Sequence, residues 1–137
     1  WDLNRHWTIN SAGQYLKAEQ NPERNMSLSG LVPENTPKWT GNLSVTHKSP
    51  WLKGLSFNAG ASYVGPRYVN ALNQAQIPGV TLFSAGVGYT TAVMGRKTSL
   101  QLSVENLGDK RYWNSVSSGT YGTGMERSLR FNAKMEL

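Results

Sequence analysis

The chain has 137 residues, enough for one domain of ordinary size, and only 16% of them are charged, below the roughly 25% usual in soluble domains. It is basic, with 14 Lys and Arg against 8 Asp and Glu, but the basic residues sit singly or in pairs such as Arg96–Lys97 and Lys110–Arg111, without the patch or motif that nucleic-acid binding requires. There is no cysteine, which excludes disulfides, thiol catalysis and cysteine-ligated metal, and no run of about 18 apolar residues, which excludes a transmembrane helix.

The first residues, Trp1-Asp2-Leu3-Asn4-Arg5, carry no secretion signal and read as the middle of a strand, so the chain is expected to be a fragment. From Trp7 to Lys17, one series (Trp7, Ile9, Ser11, Gly13, Tyr15) alternates with another (Thr8, Asn10, Ala12, Gln14). A period of two puts the series on opposite faces of a strand. A polar gap follows, 18–37, carrying Pro22, Gly30, Pro33 and Pro37. Strand two, Lys38–Lys48, sets Trp39, Leu43 and Val45 against Thr40, Asn42, Ser44 and Thr46. After a short turn at 49–54, strand three sets Leu55, Phe57, Ala59, Ala61 and Tyr63 against Ser56, Asn58, Gly60 and Ser62.

A second long gap covers 65–79. Strand four alternates Thr81, Phe83, Ala85, Val87 and Tyr89 with Ser84, Gly86 and Gly88, and a short turn is expected over 91–97. Strand five sets Leu100, Leu102 and Val104 against Ser99, Gln101, Ser103 and Glu105. The third long gap, 107–126, is rich in Gly, Ser and Tyr and reads as a flexible loop. Strand six alternates Leu129, Phe131, Ala133, Met135 and Leu137 with Arg130, Asn132, Lys134 and Glu136. Pairing strands five and six across that gap suggests Val104 opposite Phe131, Leu102 opposite Ala133, Glu105 opposite Arg130 and Gln101 opposite Lys134.

The expected fold is all-β: an antiparallel meander of about six amphipathic strands, part of a larger transmembrane β-barrel. The connections run long, short, long, short, long, which is the pattern of outer-membrane barrels with outer loops and periplasmic turns. The strands have the roughly 9–11 residues a tilted strand needs to cross a bilayer. Trp7, Tyr15, Trp39, Tyr63 and Tyr89 lie towards strand ends, as interface rings do. The alternatives are a porin-like channel and a soluble β-sandwich binding module, which also alternates apolar and polar residues.

Catalytic chemistry is absent from the pattern, and no enzyme is expected. The carboxylates form no acid–base couple, no G-x-S-x-G occurs, and His6 and His47 have no acidic residue at ligand spacing. The glycines of 119–124 follow no strand-turn-helix pattern that would cradle phosphate. Two sequons, at Asn25 and Asn42, carry no weight in a bacterial barrel.

The segment Val104-Glu105-Asn106-Leu107-Gly108-Asp109-Lys110-Arg111-Tyr112-Trp113 resembles the opening of the last outer loop of TonB-dependent siderophore receptors. Gly124-Met125-Glu126-Arg127 resembles that loop's junction with the final strand, and Tyr68-Val69-Asn70 through Ile77-Pro78-Gly79 the preceding outer loop. Gly108 stands where a large apolar residue is common, Glu126 where Pro is common, and Leu137 where an aromatic is usual. The resemblance implies a barrel of about 22 strands around an N-terminal plug. Residues 1–137 would be the C-terminal portion of that barrel, without plug or TonB-contacting segment, in the outer membrane of a Gram-negative bacterium.

The implied partners are outer-membrane lipid, a ferric siderophore as transported ligand, and TonB through the missing N-terminal part. No cofactor, metal site or nucleic acid is expected. Arg67, Tyr68, Arg111, Trp113 and Tyr121 are the candidate ligand contacts, because guanidinium and aromatic groups suit an anionic, planar chelate. An isolated segment is expected to self-associate, since its lipid face would be bare and both sheet edges open.

Overall fold

The computed structural model describes residues 1–21, 23 and 25–136. Pro22 and Arg24 of the first gap, and Leu137, the last apolar position of strand six, lie outside the described residues. Among the described residues ten strands occur: β1 Trp7–Tyr15, β2 Trp39–Lys48, β3 Leu55–Val64, β4 Arg67–Tyr68, β5 Gln76–Ile77, β6 Val80–Val93, β7 Arg96–Glu105, β8 Trp113–Ser117, β9 Thr120–Thr123 and β10 Ser128–Met135. Six form one antiparallel sheet in the order β1-β2-β3-β6-β7-β10, an uninterrupted meander. These are the six strands the alternation predicts.

The register keeps the two alternating series on opposite faces across all six strands. One transverse row reads Trp7, His47, Phe57, Val87, Leu102, Phe131. The adjacent row, on the other face, reads Thr8, Thr46, Asn58, Gly86, Ser103, Arg130. The sheet therefore has one apolar and one polar side. Among the described residues no second layer covers the apolar side: Phe57, Phe83 and Phe131 are 47%, 55% and 63% exposed. The described buried apolar residues are Val69, Ile77 and Val80, all at the end where the long connections leave the sheet. A sandwich would bury its inner face, so this is a single wall.

Two expectations are corrected. The turn expected over 91–97 shrinks to Met94–Gly95, with φ of 51° and 75°. Two successive positive φ values make the hairpin turn whose twist matches that of the strands. The ladder therefore continues through Thr91↔Thr98 to Val93↔Arg96. The pairing of the last two long strands also differs. Val104 faces Leu129, Leu102 faces Phe131, Gln101 faces Asn132, Glu105 faces Ser128 and Arg130 faces Ser103. The shift is two residues, so every side chain keeps its expected face.

The loop between these strands explains the shift. Asn106 is buried, at 5% exposure. Its side-chain nitrogen donates to Lys110 O (2.9 Å) and Met125 O (3.0 Å), and its oxygen accepts from Lys110 N (2.9 Å). Asp109 Oδ1 accepts from Arg127 N at 3.0 Å. Both ends of the loop are thus held together, which brings Ser128 against Glu105.

The long gaps are more ordered than their composition suggests. Within 65–79, β4 pairs with β5, and Val69 packs with Ile77. Within 107–126, β8 pairs with β9 across Ser118–Gly119, where φ is 48° and 80°. Gly124 lies against the Tyr112 ring, so closely that a Cβ would overlap the ring. Its N–H donates to Tyr112 O at 2.8 Å. Gly54 is equally constrained: φ is +89°, and a Cβ would meet the Thr90 carbonyl.

The Asn106 clamp yields a prediction. Each of its three bonds is worth about 0.5–1.5 kcal/mol. In the full-length receptor, Asn106→Ala should raise tryptic cleavage after Lys110 and Arg111 about tenfold or more while the barrel stays folded. Asn106→Asp should do no better, since a carboxylate cannot donate to two carbonyls. Wild-type cleavage rates in both variants would show that the clamp does not hold the loop.

Candidate functional site

Because the strands are antiparallel, the connections 16–38, 65–79 and 106–127 all leave the sheet at one end. Gly, Pro and Asn in these stretches break the alternation and let the chain fold back across the sheet end. There the three connections bond to one another. Arg67 is 7% exposed and its guanidinium joins all three: it donates to Asn35 Oδ1 (3.2 Å), Asn114 O (2.6 Å) and Trp113 O (2.9 Å). Burial pushes its pKa below the ordinary arginine value. Arginine starts so high that it stays cationic. Its Nε is buried without a partner among the described residues.

Asparagines reinforce the junction. Asn73 exchanges two bonds with Val32, accepting from its N–H at 2.9 Å and donating to its carbonyl at 2.7 Å. Asn35 N donates to Tyr68 O at 2.9 Å. Glu34 reaches the tip of the β8–β9 hairpin, accepting from Ser118 N at 3.2 Å and Ser117 Oγ at 3.4 Å. Asn35, Asn73 and Asn106 adopt φ of 54°, 56° and 50°. Asparagine tolerates this left-handed conformation better than most residues.

Four of the five candidate residues are brought together. Arg111 and Trp113 line a groove of about 740 Å³ with Pro78, Val80, Thr123 and Glu126. The Tyr121 ring packs on Trp113, with centroids 5.2 Å apart and planes at 57°, a tilted aromatic pair. Arg67 holds the Trp113 carbonyl. Tyr68 follows Arg67 in β4 and is half-buried, with its carbonyl spent on Asn35. Tyr112 and Glu126 also line a second groove of about 540 Å³ that runs over the polar face of the sheet, past Asn42, Ser62, Glu105 and Arg130. The loop site thus opens onto the polar face.

Glu34 and Asn35 were not singled out from the sequence, and Asn73 and Asn106 stood there only within the family-like segments, without a role of their own. The available signal was asparagine within long gaps, where a left-handed turn is needed. At the opposite end, the rings of His6 and His47 approach to 6.5 Å between centroids. No group of three metal-ligating side chains forms among the described residues.

Comparison with known proteins places this geometry. The family profile described as "TonB dependent receptor-like, beta-barrel" matches residues 1–107. The chain is 27% identical to the probable TonB-dependent siderophore receptor PiuA of Acinetobacter baumannii, over 91% of this chain and 18% of that protein. It is 39% identical to the ferrioxamine B receptor of Salmonella typhimurium, over 64% of this chain and 13% of that protein. Among solved structures, BauA, the ferric preacinetobactin receptor of Acinetobacter baumannii, shares the fold with a TM-score of 0.87 at 22% identity. That match covers 97% of this chain and 20% of BauA. The chain therefore spans about a fifth or less of the length of the proteins it matches. The family is one of transport receptors rather than enzymes, and the chain belongs to it: a stretch of the β-barrel wall of a TonB-dependent receptor, in the outer membrane of a Gram-negative bacterium.

Proposed function

We propose that the receptor carrying this segment imports a ferric siderophore, with energy supplied by TonB through a part of the protein outside this chain. The segment is the C-terminal portion of the barrel and supplies wall and outer loops. The observation that carries the reading is the convergence of all three long loops on Arg67, beside a groove that presents Arg111 and Trp113. A cation beside aromatic faces suits an anionic chelate with planar groups. The named functions of the PiuA and ferrioxamine B relatives support the same ligand class. In this reading 18–37, 65–79 and 107–126 are extracellular, and the short turns are periplasmic. Arg111, Trp113, Tyr121 and Tyr68 contact ligand, while Arg67 both adds positive charge and holds the loops in place.

One experiment on the full-length receptor tests this. Thr120→Cys should react with an impermeant thiol reagent on intact cells, and Met94→Cys should not. Ala substitutions at Arg111, Trp113 and Tyr121 should each weaken siderophore binding by about tenfold, the scale of a buried aromatic or arginine anchor. Arg67→Ala should weaken binding and also loosen the loops to protease. Reversed labelling would invert the topology. Unchanged affinity in all five Ala variants, Tyr68→Ala included, would leave these residues a purely structural role.

Taken out of the barrel, the segment should self-associate. Its apolar face is uncovered, and β1 and β10 each have an unpaired edge. Light scattering of the isolated polypeptide in detergent-free buffer should show large assemblies; a stable monomer contradicts this.

A further inference from the structure

The rim opposite the loops consists of three short reversals, each pairing an exposed apolar side chain with a cation. At the first, Trp1–Leu3 runs back along β1: Leu3 N donates to Trp7 O (3.0 Å) and Ile9 N to Trp1 O (2.8 Å). Asn4 Oδ1 accepts from His6 N and Trp7 N, closing a turn that carries Arg5. The second reversal carries Trp51, Leu52 and Lys53, and the third carries Met94 and Arg96. Trp51 is 88% exposed and Met94 96%. Neither lies at an open edge. They cap β2–β3 and β6–β7, which are interior, and the two reversals are tied by a bond from Thr90 N to Gly54 O at 2.9 Å. Neighbouring barrel strands therefore cannot cover them. Bulk water offers such tips no favourable contact, whereas the boundary between headgroups and hydrocarbon does.

The charge distribution points the same way. Six of the 14 basic residues (Arg5, Lys48, Lys53, Arg96, Lys97, Lys134) lie at or near this rim, with only Asp2 and Glu136 of the 8 acidic ones. Lys97 is paired with Glu136 at 3.0 Å. Among the described residues Arg5, Lys53 and Arg96 enter no ion pair. The register separates the neighbours Arg96 and Lys97. Arg96 lies opposite Val93, in the series of Tyr89 and Leu100 on the apolar face, whereas Lys97 lies opposite Ala92 in the polar series.

We propose that this rim binds a glycerophospholipid with an anionic headgroup. Lys53 and Arg96 hold the phosphate, and Trp51 and Met94 lie at the base of the headgroup layer. Long basic side chains next to an apolar surface reach the phosphate level while their stems stay in hydrocarbon. Anionic headgroups are attracted to such clusters. Only the choice of leaflet rests on the sidedness proposed above; the site itself does not depend on which siderophore, if any, the receptor carries.

The test uses the full-length receptor in nanodiscs of equal phosphatidylethanolamine and phosphatidylglycerol, with native mass spectrometry counting retained lipids. The wild type should hold phosphatidylglycerol several-fold over its bulk share. The Lys53→Gln/Arg96→Gln double variant should fall to the bulk share, Lys97→Gln should match the wild type, and the charge-keeping Lys53→Arg/Arg96→Lys variant should retain the enrichment. Siderophore affinity, measured in the same samples, should not change. Enrichment that survives the Gln double variant, falls equally in Lys97→Gln, or is absent from the charge-keeping variant overturns the proposal. So does displacement of the lipid by soluble glycerol phosphate, which would indicate a free-phosphate site. Capture of a periplasmic protein by this rim in place of lipid would equally overturn it.

Discussion

The hydrogen-bonded ladder that joins β1, β2, β3, β6, β7 and β10 is the constraint on which the rest depends. In hydrocarbon there is no water to satisfy a backbone N–H or C=O, so each must find its partner on the next strand. The ladder leaves no freedom in which side chain faces which way: a slip of one residue would turn Leu102 inward and Ser103 outward. Every pairing in the sheet keeps the apolar series on one face, from Trp7 across to Phe131. On the polar face, glycines at 60, 86 and 88 let neighbouring side chains lie close to the wall. Asn58 and Ser84 lean where a Cβ would otherwise stand.

The two ends of the sheet solve different problems. At the turn end the ladder runs to the tips, because Met94–Gly95 reverses the chain with the twist the strands already have. At the loop end the chain travels far and must be gathered. Arg67, in the middle connection, does this with side-chain bonds to the other two. The two ionised or polar clamps are unequal in kind. Arg67 binds two backbone carbonyls, which any residue could present, and the side-chain oxygen of Asn35, so two of its three partners are set by position alone. Asn106 uses both ends of its amide, so no other side chain of similar size fits its bonds. The ion pairs contribute less: Arg127–Asp109, at 4.0 Å and more than half exposed, is screened by water.

How much of this was legible in the sequence follows from what each feature depends on. Strands and their faces were readable because alternation is a local property, visible in Leu129 to Met135 without any partner. The register of β10 against β7 was not. A shift of two residues preserves every face, so alternation cannot distinguish Phe131 opposite Val104 from Phe131 opposite Leu102; loop closure at Asn106 and Asp109 decides it. The β8–β9 hairpin was hidden because its Gly, Ser and Tyr content resembles a flexible loop, and the signal lay in Ser118–Gly119 alone. Of the candidate site, Arg111, Trp113 and Tyr121 were chosen for their chemistry and lie near one another. Arg67 was chosen for its charge, but its bonds to Asn35, Trp113 and Asn114 depend on three loops meeting, which no spacing encodes.

The central claim is that one face of this sheet meets lipid and the other the barrel interior. Spin labels placed singly on β7 of the full-length receptor in a bilayer test it most directly, read by collision with oxygen, which concentrates in hydrocarbon, and with a water-soluble nickel chelate. Leu100, Leu102 and Val104 should favour oxygen, and Ser99, Gln101 and Ser103 should not, giving a period of two along the strand. A flat profile, or oxygen favouring the Ser and Gln positions, would contradict the assignment of the faces.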